Sequence, residues 1–203
     1  MKAVIAELPR HWGEERKNSE ASQWDEMWEG VLHMPPMPNR MHQRFARDLQ
    51  MYLQQHWAKP RRAEVHQEVN LTTVEDEDDW TKNFRIPDLV LLPSDRFSID
   101  KNEYMAGAPL VVIEVRSPGD ETDEKFAFYS GLGVPEVWIF DRDSKAIELF
   151  LLGSESRFER IRPDEGGWHR SPNTGVAFCQ IEPGSLVARI DGDPATDCEL
   201  PEA

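Results

Sequence analysis

Cysteine is nearly absent from this sequence: Cys179 and Cys198 are the only two among 203 residues. With 18 residues between them and no second pair, they match neither a disulfide framework nor a zinc-ligand spacing, so reduced thiols are expected. Long apolar runs are also lacking. Leu110–Ile113 and Val137–Phe140 fall far short of the ~20 residues a membrane helix needs, and the N-terminus lacks the basic-then-apolar pattern of an export signal. The chain is therefore expected to be soluble and cytoplasmic, with no membrane partner. Basic residues are the third shortage: 23 Lys and Arg against 38 Asp and Glu give a net charge of −15. That balance repels polyphosphate at long range and argues against non-specific coating of nucleic acid, while leaving room for a local basic groove. An acidic metal site and a merely well-solvated surface would both produce it.

What is present is 39% hydrophobic and 30% charged residues, enough for one core on the usual scale of ~100–200 residues per domain. Residues 1–18 are polar, contain Pro9 and show no hydrophobic periodicity, and read as a weakly ordered lead to a single domain over 19–203. A helix fits Ser19–Glu29, with Trp24, Met27 and Trp28 on one side, followed by a short strand, Gly30–Met34, stopped by Pro35 and Pro36. Asn39 is a good N-cap for the strongest helix, in which Met41, Phe45, Leu49, Tyr52 and Leu53 recur at three- and four-residue steps until Lys59-Pro60 ends it. Glu64–Val74 resembles a strand with broken alternation, and the acidic run Glu75–Asp79 a solvated turn.

Beyond this point the pattern changes to nearly continuous apolar runs, Leu89–Leu92, Leu110–Val115 and Val137–Phe140, typical of strands buried on both faces. Asp120–Leu132 between the last two has helical spacing, so strand, helix and strand predict a right-handed crossover with parallel strands. Asp141–Ser144 is turn chemistry, Ala146–Leu152 and Phe158–Arg162 suit a hairpin, and the tail from Gly166 reads as short strands or loops. The sum is an α/β fold with a mixed central sheet and helices on its faces.

Chemistry is concentrated where Pro87-Asp88 opens one apolar strand and Glu114 stands near the end of the next. If those strands pair, the two acids meet, and because side chains alternate, Arg116 points to the same side as Glu114. Two carboxylates at the edge of a buried sheet repel and lose hydration unless something positive stands between them. Oxygen ligands of this kind suit Mg²⁺ or Mn²⁺ rather than zinc.

Taken in order, Pro87-Asp88, the run from Leu110 to Pro118 containing Glu114-Val115-Arg116, Asp123-Glu124-Lys125 with Tyr129, the run from Gly133 to Trp138, and Asp141 resemble the Uma-type restriction endonuclease family of the PD-(D/E)XK nuclease superfamily. The stretch Met34–Gln43 also looks like that family's first core helix and its lead, so the resemblance spans roughly 22–190. It implies a restriction-endonuclease-like fold in which Asp88 and Glu114 bind the metal, with the carbonyl of Val115 a further ligand. The superfamily's lysine stands two residues after the second acid, where this chain has Arg116. Members of this family supply one from the following helix, here Lys125. Lys125 is accordingly expected as the catalytic cation and Arg116 as a phosphate contact, since a guanidinium stays protonated.

His42 matches a family position and either touches the site or is a hydrogen-bonded structural histidine. Arg40, Arg44 and Arg47 form a basic stripe that reads as a solvated face. Glu68 reads as an outward strand residue, Tyr129 as core with a hydroxyl that orders the site, and Trp138 as packing. The expected function is Mg²⁺- or Mn²⁺-dependent hydrolysis of DNA phosphodiesters. Binding two points on a duplex would favour a homodimer, although no residue marks an interface. The rival is a nuclease-derived fold kept as a binding or regulatory protein, favoured by the net charge and by Arg116.

Overall fold

The computed structural model describes residues 3–5 and 20–201. Strand β1 (Ala3–Ile5) pairs with the second arm of a hairpin formed by β2 (Glu26–Trp28) and β3 (Val31–Met34), which follows a 3₁₀ turn at Glu20–Trp24. Glu29 and Gly30 both have positive φ, 45° and 84°, the combination a tight two-residue hairpin turn requires. The helix expected over Ser19–Glu29 is thereby corrected: only its first part is helical, because Glu29-Gly30 reverses the chain and β2 is held by ladders on both sides, to β3 and to Phe84. Of the lead expected over residues 1–18, all but β1 lies outside the described residues.

Helix α1 (Arg40–Leu53) starts where expected, with the Asn39 side chain accepting from the His42 amide at 3.0 Å. It buries Phe45, Leu49, Tyr52 and Leu53 along one face. Pro60 does not end it. The helix widens into a π stretch, Gln54–Ala58, in which the Lys59 amide bonds back to the Gln54 carbonyl, and a last turn, Lys59–Arg61, closes at left-handed Arg62. The wider turn relieves the carbonyl clash that proline meets inside a regular α-helix.

The single broken strand expected over Glu64–Val74 is instead two, β4 (Glu64–Gln67) and β5 (Leu71–Thr72), which join different sheets after the chain turns at Glu68, φ 52°. The acidic run leads into 3₁₀ turns at Glu77–Lys82. Next come β6 (Phe84–Arg85), β7 (Leu89–Leu92), β8 (Met105–Ala106) and β9 (Val111–Arg116). A 3₁₀ turn at Thr122–Lys125 runs into α2 (Phe126–Leu132), which is followed by β10 (Glu136–Asp141), β11 (Ile147–Leu152) and β12 (Phe158–Ile161). The tail expected as short strands or loops is an antiparallel sheet of β13 (Trp168–Arg170), β14 (Val176–Glu182), β15 (Ser185–Ile190) and β16 (Asp193–Leu200).

The central sheet has the order β12-β11-β10-β9-β7-β4, with β9 and β10 parallel and the other pairs antiparallel. Alternation along β9 sends Val111, Ile113 and Val115 to one face, where Phe45, Leu49 and Leu53 of α1 meet Phe178 and Leu186 of the C-terminal sheet. Val112 goes to the other face, where it packs with Phe128 and Tyr129 of α2. This is the expected mixed α/β architecture, and its strand, helix and strand segment has the expected parallel register, Val111 beside Glu136 through Arg116 beside Asp141. No helix is long and apolar enough to cross a membrane among the described residues.

Phe45 is fully buried, with its ring 5.3 Å from that of Phe140, and anchors α1 to the sheet. Phe45→Ala is expected to lower the free energy of unfolding by about 3–5 kcal/mol, read from the midpoint of urea denaturation at constant m-value.

Candidate active site

The register of β7 on β9, Leu89 opposite Ile113 and Leu91 opposite Val111, continues outward to set Asp88 across from Glu114. Both acids thus stand on the face of the sheet that α2 covers. One oxygen of Asp88 accepts the Val115 amide at 2.6 Å, and the other lies 2.7 Å from His42 Nε2 in the first turn of α1. Glu114 is only 4% exposed, and its Oε1 accepts from the Tyr129 hydroxyl at 2.5 Å and from Lys125 Nζ at 3.1 Å. Lys125 and Tyr129 can share that oxygen because they are four residues apart across the start of α2 and face the same way.

A third carboxylate completes the group. Glu26 on β2 lies 2.8 Å from Lys125 Nζ, accepts the Ile86 amide at 2.7 Å, and takes the Trp28 indole N–H on its other oxygen at 2.7 Å. These side chains form the floor of a cleft of about 220 Å³, walled on one side by Trp24, Trp28 and Pro35–Pro38 and on the other by the segment from Ser117 to Thr122. Val115 and Arg142 also line it.

The charges in this floor do not balance. Burial pushes the Glu114 carboxyl up to about 7, with the nearby charges of Asp88 and Glu26 adding to the rise and Lys125 and the Tyr129 bond opposing it. Burial alone would lower the Lys125 ammonium, but Glu114 and Glu26 outweigh it and raise it above the ordinary lysine value, so it stays charged. Burial also works to lower His42, yet the bond to Asp88 and that carboxylate's charge leave it raised. The Tyr129 hydroxyl is pushed well up, by burial first and then by Glu114, and remains a donor. Lys125 thus bonds two of the three carboxylates, Glu114 and Glu26, while the third, Asp88, is held by His42 and the Val115 amide.

Among the residues singled out in the sequence, Asp88, Glu114, Lys125, His42 and Val115 are brought to this cleft. Arg116 is not. It shares the sheet face of Glu114, but its guanidinium is drawn the other way, 2.5 Å from Asp123 and 3.2 Å from Glu148 on β11. None of Arg40, Arg44 and Arg47 lines the cleft, and the last two pair with Asp48. Glu68 does not line the cleft but accepts the Trp24 indole N–H at 3.1 Å. Trp138 is packed against Phe178 and donates to Glu136.

The sequence reading missed Glu26, Trp24 and Arg142. Glu26 was hidden by the helical interpretation of its segment, and the Glu29-Gly30 turn that begins three residues beyond it was the signal for a hairpin. Arg142 directly follows the turn aspartate Asp141 and reads as turn chemistry. Glu64, His66 and Asp100 also lie within mutual ligand distance, 4.8 Å, but none lines this cleft and both acids are exposed.

None of the curated proteins matches the chain. Among solved structures, one from Anabaena variabilis ATCC 29413, described as "a putative nuclease belonging to DUF820", is similar with a TM-score of 0.59 and 20% identity, covering 79% of this chain and 88% of that one. At that identity the likeness is one of fold. A family model described as "Uma2: Putative restriction endonuclease" matches residues 16–181, most of the chain and every residue that lines the cleft. The chain belongs to the Uma2 family.

Proposed function

We propose that the cleft is a Mg²⁺- or Mn²⁺-dependent centre that hydrolyses DNA phosphodiester bonds. The observation that carries the reading is the convergence of Asp88, Glu114 and Lys125 at the paired ends of β7 and β9. Membership of a family described as restriction endonucleases supports the same class of reaction.

The residues fit a hard divalent cation. The donors are carboxylate oxygens with lone pairs to spare, since each Asp88 oxygen accepts one hydrogen bond and an ionised carboxylate can accept about four in all. Burial is the first cause of the raised Glu114 pKa, and the charges of Asp88 and Glu26, which add to it, are what such an ion would relieve. Asp88 and Glu114 would hold it, with the carbonyl of Val115 as a third oxygen. When bound, it supplies Lewis-acid polarisation of the phosphate and a more acidic water.

The chain's own groups have separable roles. Lys125, charged and fixed by two carboxylates, donates to the attacking water or the phosphate oxygen but accepts no proton. His42 positions Asp88 through their 2.7 Å contact, and Tyr129 orients Glu114. The phosphate contact expected of Arg116 passes to Arg142: both guanidiniums are paired, Arg142 with Asp143 at 2.9 and 3.0 Å and Arg116 with Asp123 and Glu148, but Arg142 is the one that lines the cleft. In the reaction, the water oxygen bonds to phosphorus as the ester P–O bond breaks. One water proton goes to solvent and the leaving oxygen gains one, giving a phosphomonoester end and a hydroxyl end.

Incubating purified protein with plasmid and oligonucleotides in Mn²⁺ is expected to yield cleavage that Asp88→Ala and Glu114→Gln each reduce by at least about a hundredfold, in step with lost Mn²⁺ binding by calorimetry. A wild type no more active than the variants overturns the hydrolase and returns the fold to a binding role. Glu26→Gln is expected to reduce the rate by about 10–100-fold with Mn²⁺ binding retained, because it releases Lys125 without touching the ligands. Equal losses of rate and metal affinity would instead make Glu26 a ligand.

A further inference from the structure

The floor of the cleft is deep. The side chains of Glu114, Lys125 and Asp88 are 5%, 12% and 17% exposed. The space above them, about 220 Å³, has room for a nucleotide-sized group. A flexible strand can lower a single phosphate into that space, whereas a duplex carries its phosphates on a stiff, paired backbone. The walls are also tied together: His33 Nδ1 on β3 lies 3.0 Å from Glu121 Oε2 in the opposite segment.

Charge points the same way. Non-specific duplex binding commonly rests on about 6–10 phosphate contacts, whereas Lys125 and Arg142 are the only lysine or arginine lining the cleft among the described residues, on a chain of net charge −15. What the cleft offers instead is apolar and aromatic. The Trp28 ring is committed on both sides, stacked on His33 at 3.8 Å and covered by Arg85 at 4.4 Å. Trp24 is half-buried and lines the cleft, and it enters none of the aromatic pairs among the described residues, which makes it the candidate platform for a base. Pro35, Pro36 and Met37 continue the same wall. A short groove with an aromatic platform and few cations is suited to one flexible strand, whose bases are unstacked and whose phosphates arrive singly.

We infer that the cleft takes single-stranded DNA, an unpaired segment or a frayed end, with a base against Trp24 and the adjoining phosphate between Lys125 and Arg142. The inference rests on the reading of the cleft as a phosphodiester site. A duplex is then a substrate only where it opens.

The test separates binding from cleavage. With Ca²⁺ in place of Mn²⁺ and cleavage checked to be absent on gels, fluorescence anisotropy of a labelled oligothymidine strand of about 15 nucleotides is compared with that of a duplex of equal length over a range of NaCl. The strand is expected to bind at least about tenfold more tightly than the duplex, with a shallow salt slope set by about two phosphate contacts. Trp24→Ala should weaken strand binding by about tenfold, and Trp24→Phe, which keeps a stacking face but loses the bond to Glu68, should restore most of it. Equal or tighter duplex binding, no binding of either, or a Trp24→Phe variant as weak as Trp24→Ala overturns the inference. In Mn²⁺, cleavage of intact duplex as fast as of the single strand overturns it while leaving the hydrolase standing. Strand binding as expected but with no cleavage sustains the inference about the ligand and removes the hydrolase.

Discussion

A carboxylate buried in the middle of a sheet is the constraint around which this molecule is arranged. Isolated, Glu114 would lose its hydration at a cost of several kcal/mol or give up its charge. The chain meets that cost with Tyr129 and Lys125 on a single oxygen, and then must hold Lys125, which Glu26 does from a different sheet. Each added partner solves the problem left by the one before. The result is three carboxylates in one floor, with the ammonium on Glu114 and Glu26 and His42 on Asp88, an arrangement with more acids than a structural ion pair would need. That excess is what the proposed cation would offset, and a salt bridge that merely joins two elements would not require it.

Local signals in the sequence revealed those parts of the site that lie on regular elements. The near-continuous apolar runs identified β7, β9 and β10, and once β7 and β9 pair, the positions of Asp88 and Glu114 follow from register alone. Asn39 announced the start of α1, and with it the place of His42. What was not legible was set by contacts between distant segments. Trp24, Met27 and Trp28 are spaced as a helix would space them, and the helical reading fails because the pairing partner that makes β2 a strand, Phe84, is remote in the chain. Arg116 shows a different limit. Alternation assigned its side of the sheet correctly, but its direction was decided by Glu148 and Asp123, carboxylates that no pattern in its neighbourhood advertises.

The acidity of the chain also takes on a different meaning. Read as an average, −15 argues against non-specific coating of nucleic acid. Resolved by position, much of the basic complement is already paired: Arg44 and Arg47 with Asp48, Arg116 with Asp123 and Glu148, Arg160 with Glu148, and Arg189 with Asp197. The cations that line the cleft are few and local, so attraction is confined to one phosphate-sized region and repulsion prevails elsewhere. Such a surface disfavours lingering contact along a polymer more than engagement at a point.

Arg85 joins the two halves of this arrangement. It is buried and inserted between the rings of Trp28 on the hairpin and Phe128 on α2, 4.4 and 4.3 Å from their centres, while its guanidinium bonds the Met27 carbonyl. The hairpin that supplies Glu26 and the helix that follows Lys125 are thereby clamped as one body, although they come from opposite sides of the middle of the chain. During synthesis the hairpin emerges first and must wait, unclamped, for strands and a helix that have not yet been made. A nascent or truncated chain consequently has the acids without their organising lysine, and the cell meets the assembled centre only once the whole fold has closed around it.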